Sequence, residues 1–267
     1  MSMARVRGIE LAYEVSGAGA PVVLLHGFPF NRTLWREQVE ALRERYTVVT
    51  VDLRGHGETP AVVDAPATMD EMAEDVAALL DELGLAVPVV LGGLSMGGYV
   101  VLAFYRLFPE RVRALLLADT RPQADTDEAR LNREATATRA LHEGMRAIAA
   151  AMLPKLLAPA TQAERPELVA RVSDMILHTD PQGAASALRG MALRRDQTKL
   201  LREIKCPVLI VVGSLDAITP VTDAELMQRE ISGARLEVIA GAGHVSNIER
   251  PAEFNRALEK FLGELEA

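Results

Sequence analysis

Short runs of apolar and β-branched residues recur along the chain, separated by longer stretches in which apolar positions return every three or four residues. The runs fall at residues 22–25 (VVLL), 46–51 (YTVVTV), 87–91 (VPVVL), 114–118 (ALLLA), 207–212 (PVLIVV) and 235–239 (RLEVI). Their apolarity is continuous rather than alternating, which predicts strands covered on both faces, as in a parallel sheet. Residues 9–15 (IELAYEV) read instead as a half-exposed strand at the beginning of the sheet. Between the runs, Met69, Met72, Ala73, Val76, Leu79, Leu80 and Leu83 fall at helical spacing, with Thr68 and Glu71 placed as a capping box and Gly84 as the stop. Residues 222–231 open on a similar Thr222–Glu225 pair, and Pro251 opens a last helix whose Phe254, Leu258, Phe261 and Leu262 share one face. Alternating strand and helix predicts an α/β fold built from right-handed βαβ crossovers.

The alternation breaks between residues 121 and 200, where Ala-rich helical patterns are punctuated by Pro154, Pro159, Pro166 and Pro181 without a strand signal. The expected organisation is a helical cap over 121–200 inserted into a core formed by 1–120 and 201–267. Met145, Ile148, Met152, Leu153 and Leu156 would give one cap helix an apolar underside. Those methionines, with Met175 and Met191, are expected to pack the cap onto the core in preference to lining a pocket.

Composition narrows the function. A length of 267 residues suits one α/β domain with an insertion. The 29 basic and 37 acidic residues leave a net charge of -8, with no basic run to track phosphates, so nucleic acid is not an expected partner. No charge occurs from Leu83 to Tyr105, a stretch long enough to suggest a membrane span, but Pro88 and glycines 84, 92, 93, 97 and 98 interrupt it. A buried strand, a tight turn and a buried helix fit it better, and no membrane association is expected. The N-terminus, MSMARVRGIE, lacks the apolar segment of a secretory leader, which points to the cytoplasm. The lone Cys206, beside Pro207, reads as a small buried hydrophobe. Neither H-E-x-x-H, nor paired cysteines, nor a P-loop or G-x-G-x-x-G pattern occurs, so no metal and no cofactor is expected.

The strongest chemical signal is GLSMG at residues 93–97, after the apolar run 87–91 and before the helical run 99–107. A sharp strand-to-helix turn lifts a serine hydroxyl clear of a sheet, and Gly93 and Gly97 leave room for so tight a backbone. The following helix points its N–H groups and positive dipole end at the reaction centre. GSLD (213–216) and GAGH (241–244) each follow a predicted strand. Parallel strands bring their C-terminal ends to one edge, so Ser95, Asp216 and His244 are expected to converge there. Asp119, at the end of the run 114–118, is the rival for the acid.

HGFP (26–29), DLRGHG (52–57), GLSMGG (93–98), GSLDAITP (213–220) and GAGH together resemble the α/β-hydrolase superfamily over nearly the whole chain, and Ser95 places the resemblance in its serine-nucleophile branch. The resemblance implies a mostly parallel sheet flanked by helices, Ser95 as nucleophile, His244 as general base, Asp216 as the orienting acid, and an oxyanion hole formed by the backbone N–H groups of Phe28 and Met96. It also implies that Asp52, Arg54 and His56 brace the site. His26 is expected to bond to backbone and shape the Phe28 loop, and His142 and His178 to be surface or packing residues.

Family dehalogenases and epoxide hydrolases carry an aspartate at the elbow and dienelactone hydrolases a cysteine, so Ser95 favours acyl transfer. The motifs resemble those of small bacterial carboxylesterases, enol-lactonases and cofactor-free haloperoxidases or perhydrolases, the last group often having tryptophan where this chain has Phe28. The expected reaction is cleavage of a small-molecule ester or lactone, with a small or medium apolar acyl group, through an acyl-enzyme. Perhydrolysis and carbon–carbon hydrolysis use the same triad, and a ligand-binding receptor with little turnover is the alternative from a different class.

Overall fold

Five of the six apolar runs form the middle of one eight-stranded sheet, and the sixth, residues 235–239, forms its edge. The structure is a computed structural model and describes residues 1–61 and 65–266. In chain order the strands are β1 (Ser2–Val6), β2 (Ile9–Ser16), β3 (Ala20–Leu25), β4 (Tyr46–Val51), β5 (Val89–Leu94), β6 (Val112–Ala118), β7 (Val208–Gly213) and β8 (Arg235–Ile239). Their spatial order is β1-β2-β4-β3-β5-β6-β7-β8. β1 and β2 pair antiparallel with each other, as do β2 and β4, and every pair from β4 to β8 is parallel. The middle strands β5 and β7 are buried along their whole length, as continuous apolarity requires.

Three strands depart from the sequence expectation. β1 was not anticipated; it adds to the sheet through its pairing with β2, and the sheet begins there. β5 is displaced toward its C-terminus, because Val87 is exposed and Pro88 offers no N–H to a ladder, whereas Gly92 fits closely between Leu24 and Leu116. β8 is the far edge of the sheet and is largely exposed, so its run is not covered on both faces.

The helices of the described residues follow the 3.6-residue pattern: α1 (Arg36–Leu42), α2 (Met69–Glu82), α3 (Met96–Leu107), α4 (Asp127–Glu143), α5 (Met145–Leu156), α6 (Pro159–Glu164), α7 (Pro166–Leu177), α8 (Pro181–Ala192), α9 (Val221–Glu230), α10 (Ser246–Glu249) and α11 (Pro251–Glu264). α2 has the expected capping box: Thr68 Oγ1 accepts from the Glu71 N–H at 3.2 Å, and the Thr68 N–H donates to Glu71 Oε2 at 3.0 Å. The Thr222–Glu225 box does not form. Pro220 already has a φ of -64° and α9 starts directly after it, which puts Thr222 inside the helix. α11 buries Phe254, Leu258, Phe261 and Leu262 as expected.

Helices α4–α8 all lie between β6 and β7. Pro159, Pro166 and Pro181 each open a helix, while Pro154 sits inside α5 without ending it. Met145, Met175 and Met191 are buried and Met152 is half-buried. α8 approaches the loops after β4 closely enough that Gly183 meets the backbone of Gly55 and Gly190 meets that of Ala67. The uncharged stretch from Leu83 to Tyr105 resolves into β5, a turn and α3, and among the described residues no helix is long and apolar enough to cross a membrane.

Candidate active site

Parallel register brings the strand ends together: Leu25 lies opposite Gly93, Leu94 opposite Ala118, Ala118 opposite Val211 and Gly213 opposite Ile239. The segments holding Phe28, Ser95, Asp119, Asp216 and His244 therefore leave the sheet at one edge. Ser95 is the single residue between β5 and α3, with φ 54° and ψ -112°. A non-glycine residue there carries roughly 1–3 kcal/mol of strain, so its surroundings must hold it. Its N–H donates to the Ala118 carbonyl at 2.9 Å, and its own carbonyl accepts from Thr120 Oγ1 at 2.8 Å. Side chains at Gly93 or Gly97 would collide with the turn: a Cβ on Gly93 meets the backbone of Gly97, and one on Gly97 meets the Leu25 and His26 carbonyls. Both glycines are needed for close approach, not for a positive φ.

The structure brings Ser95, His244 and Asp216 into one buried chain of hydrogen bonds. Ser95 Oγ is 2.8 Å from His244 Nε2, and His244 Nδ1 is 2.8 Å from Asp216 Oδ2. An ionised carboxylate only accepts, so Nδ1 carries the imidazole proton and Nε2 accepts from the serine hydroxyl. Asp216 Oδ1 also accepts from the N–H groups of Ile218 and Thr219, and Oδ2 accepts from Thr219 Oγ1 at 2.6 Å. Burial alone would raise its carboxyl, but the facing His244 and these donors hold it below the ordinary value.

Asp119 sits beside this chain without entering it. Its oxygens accept from the Gly213 N–H at 2.8 Å and from Ser246 Oγ at 2.5 Å, and it ties the ends of β6 and β7 to the segment after His244. Complete burial and the neighbouring charge of Asp216 push its carboxyl well above the ordinary range, against those hydrogen bonds. The two carboxyls thus differ in position: Asp216 faces the imidazole, and Asp119 lies behind it, bonded to Gly213 and Ser246.

Several contributors had no readable sequence signal. Glu249, 1% exposed, accepts from the Gly243 N–H at 2.7 Å and the Ala158 N–H at 2.9 Å, linking the His244 loop to the turn after α5. The His244 N–H donates to the carbonyl of Leu156, the last residue of α5. Thr219 and Thr120 are similarly visible only through their contacts.

Phe28 is buried in the loop after β3, and Met96 is the first residue of α3, where an N–H has no partner within its own helix. Behind Phe28, the Leu53 N–H donates to His26 Nε2 at 2.9 Å, and His26 Nδ1 lies 2.9 Å from the Gly27 carbonyl. His56 packs edge-on against Phe28 at 6.0 Å between ring centres. Asp52 pairs with Arg32 and accepts from the N–H of Glu58, and Arg54 forms a two-pronged ion pair with Asp75. His142 and His178 are exposed, and His178 bonds to its own helix. Cys206 is half-buried rather than fully buried, and burial pushes its thiol up to about 11, so it stays protonated at neutral pH.

Burial brings His26 down to about 4, and burial with the charge of His26 brings His56 down to about 3, from an ordinary value of 6.5. Below pH 6.5 the unfolded chain therefore binds protons that the folded chain refuses. The stability these histidines contribute is complete above that value and falls as the pH drops toward 4 and 3. Each group contributes a slope of up to about 1.4 kcal/mol per pH unit. Urea unfolding of the parent and of His56→Gln across this range should show a shallower acid decline in the variant; parallel curves would contradict the neutral, buried His56.

A cavity of about 470 Å³ adjoins the site. Phe28, Tyr99 from the first turn of α3, and Ile218 from the Asp216 loop form part of its wall, together with Arg121 and Asp125 from the segment after β6 and residues of α4, α5 and α8.

Serine, aspartate and histidine in that chain order, after β5, β7 and β8 with the serine on a strained turn, constitute the arrangement of an α/β hydrolase. Residues 20–251 match the family described as the alpha/beta hydrolase fold, and the chain belongs to that family. It is 31% identical over 253 residues to 3-oxoadipate enol-lactonase 2 of Acinetobacter baylyi, covering 94% of this chain and 92% of the relative. Among solved structures it is similar to a thermophilic esterase from Thermogutta terrifontis, determined with malate bound, at 43% identity and a TM-score of 0.95 over 97% of this chain and 95% of the other. It is also similar to the enol-lactonase from Burkholderia xenovorans LB400, at 30% identity and a TM-score of 0.92 over 98% and 100% of the two chains.

Proposed function

We propose that the protein hydrolyses carboxylic esters through an acyl-enzyme formed on Ser95. The observation that carries this reading is the unbroken relay from Ser95 Oγ through His244 to Asp216, each link 2.8 Å long. Ser95 Oγ attacks the ester carbonyl while His244 Nε2 takes its proton, and Asp216 steadies the imidazolium. The carbonyl oxygen becomes an oxyanion, for which the N–H groups of Phe28 and Met96 are the donors. His244 returns the proton to the departing alcohol, then activates water, whose attack frees the acid and restores Ser95.

Residues 121–200 act in this reading as a cap on a core of 1–120 and 201–267. Supporting it, α4, α5 and α8 wall the cavity, and α5 touches the His244 loop through its last carbonyl. The apolar side chains of Phe28, Ile148, Met152, Leu188 and Ile218 suit a short or medium acyl chain. Lactone opening is the second reading, favoured by the enol-lactonases among the relatives. A lactone passes through the same acyl-enzyme with its alcohol still tethered.

The purified protein should turn over p-nitrophenyl acetate and butyrate faster than octanoate, and dihydrocoumarin by the same site. A folded protein inactive on all four would overturn the proposal.

A further inference from the structure

We infer that the ester or lactone this site takes carries a carboxylate, which is held by cationic side chains of the adjoining cavity. The inference rests on the ester-hydrolase reading above and specifies its substrate. Helix α4 turns Ala129, Asn132, Arg133, Thr136 and Arg139 toward the cavity, the spacing of a single helical face. An enzyme for purely apolar chains would place apolar residues on that face. Here it is polar and cationic, and Arg121 and Lys155 join it from two other segments.

The cations outnumber the carboxylates available to them. Asp125 is shared by Arg133 and Arg194, the latter at 2.7 Å, while Arg139 pairs with Glu143 at 2.9 Å. One Arg133 N–H is spent on the thioether sulfur of Met191, a weak acceptor. Arg121 donates to the Ile218 carbonyl, yet its buried Nε has no hydrogen-bond partner, and Asp223 Oδ2, at 3.6 Å, lies outside hydrogen-bond range. Lys155 has no ion pair and no hydrogen bond among the described residues. Four cations, Arg121, Arg133, Arg139 and Lys155, thus line the cavity beside one lining carboxylate, Asp125, in a chain whose net charge is -8.

This local excess of positive charge, in an otherwise acidic molecule, attracts an anion to the cavity bordered by Phe28 and by Ile218 of the Asp216 loop. A guanidinium fork matches a carboxylate in two parallel hydrogen bonds, which specifies the group as well as its charge. The apolar wall holds the connecting methylenes and the cations hold the charged end. The free carboxylate undergoes no chemistry, so its contribution is to position the scissile carbonyl.

The test compares esters that differ only in a remote charge. Monomethyl adipate against dimethyl adipate places the carboxylate on the acyl arm, and 4-acetoxybutyrate against its methyl ester places it on the alcohol arm. In at least one pair, kcat/KM for the anion should exceed that for the neutral ester about tenfold at low salt, with the preference shrinking toward unity in about 1 M NaCl as charges are screened. Arg121→Gln and Lys155→Gln should each lower the anion-to-neutral ratio severalfold. The ratio is taken on one enzyme preparation and is therefore insensitive to the folded fraction. Turnover of the neutral esters with no anion preference in either pair overturns this inference and leaves the ester reading intact. A folded parent inactive on every ester overturns both.

Discussion

Ser95→Ala lowers kcat on a p-nitrophenyl ester by about 10⁴-fold or more, and His244→Ala does the same. Ser95 Oγ is the atom that forms the covalent bond, and the His244 Nε2 within 2.8 Å of it is the base available to take its proton. The two act as one unit, so the double variant should be scarcely slower than either single one. Neither side chain bonds to the backbone, so circular dichroism should show both variants folded, with His244→Ala, which leaves the buried Asp216 without its imidazole, melting lower than Ser95→Ala. Parent-like activity in either variant would remove the nucleophile or the base from the mechanism. The same assay separates the two buried carboxyls. Asp216→Asn should be severe, because an amide no longer secures the imidazole tautomer that leaves Nε2 free to accept. Asp119→Asn should retain far more activity, since Asp119 bonds to Gly213 and Ser246 rather than to the imidazole.

Gly97→Ala is the second large effect, and it acts through the backbone. A Cβ at this position would lie well inside contact distance of the Leu25 carbonyl oxygen and 2.8 Å from that of His26, neither of which belongs to a flexible side chain. Either α3 moves away from β3 or the turn at Ser95 changes its angles. Overpacking of this kind costs about 1–3 kcal/mol. A displacement of about 1 Å at the reacting atom costs roughly a further hundredfold in rate. The expected outcome is a variant that unfolds at lower urea concentration and, where still folded, has its kcat reduced far more than its KM is raised. A Gly97→Ala protein with parent-like kcat and stability would show that the turn tolerates a side chain. Gly263→Ala, with nothing within 4 Å of the added carbon, is the matched control.

Much of the fold was legible because its determinants are local. The Thr68–Glu71 box and Gly84 delimit α2 through groups within one turn of each helix end. The apolar runs mark β3, β4, β6 and β7 because burial on both faces excludes polar side chains. The same reasoning failed where a neighbour decides. β1 was missed because its role lies in its pairing with β2, and β8 was expected to be covered although it is the edge of the sheet. The Thr222–Glu225 pair has the right spacing for a box but the wrong starting point, since Pro220 begins α9 earlier.

The sequence by itself determined the family, the alternation of strand and helix, and the positions of Ser95, Asp216 and His244. Each of these is written in residues close together in the chain, and parallel strands necessarily bring their C-terminal ends to one edge. The sequence favoured Asp216 over Asp119 for the acid, and the tertiary structure shows the contact itself: both residues follow neighbouring strands, β6 and β7, and the side chain of Asp216 meets the imidazole. The tertiary structure alone revealed Glu249 as the link between the His244 loop and the turn after α5, a pairing of residues 91 positions apart. It also set the charge of the cavity. Arg121, Arg133 and Lys155 lie on three separate segments, and their shared electrostatic field exists only once those segments are packed around one space.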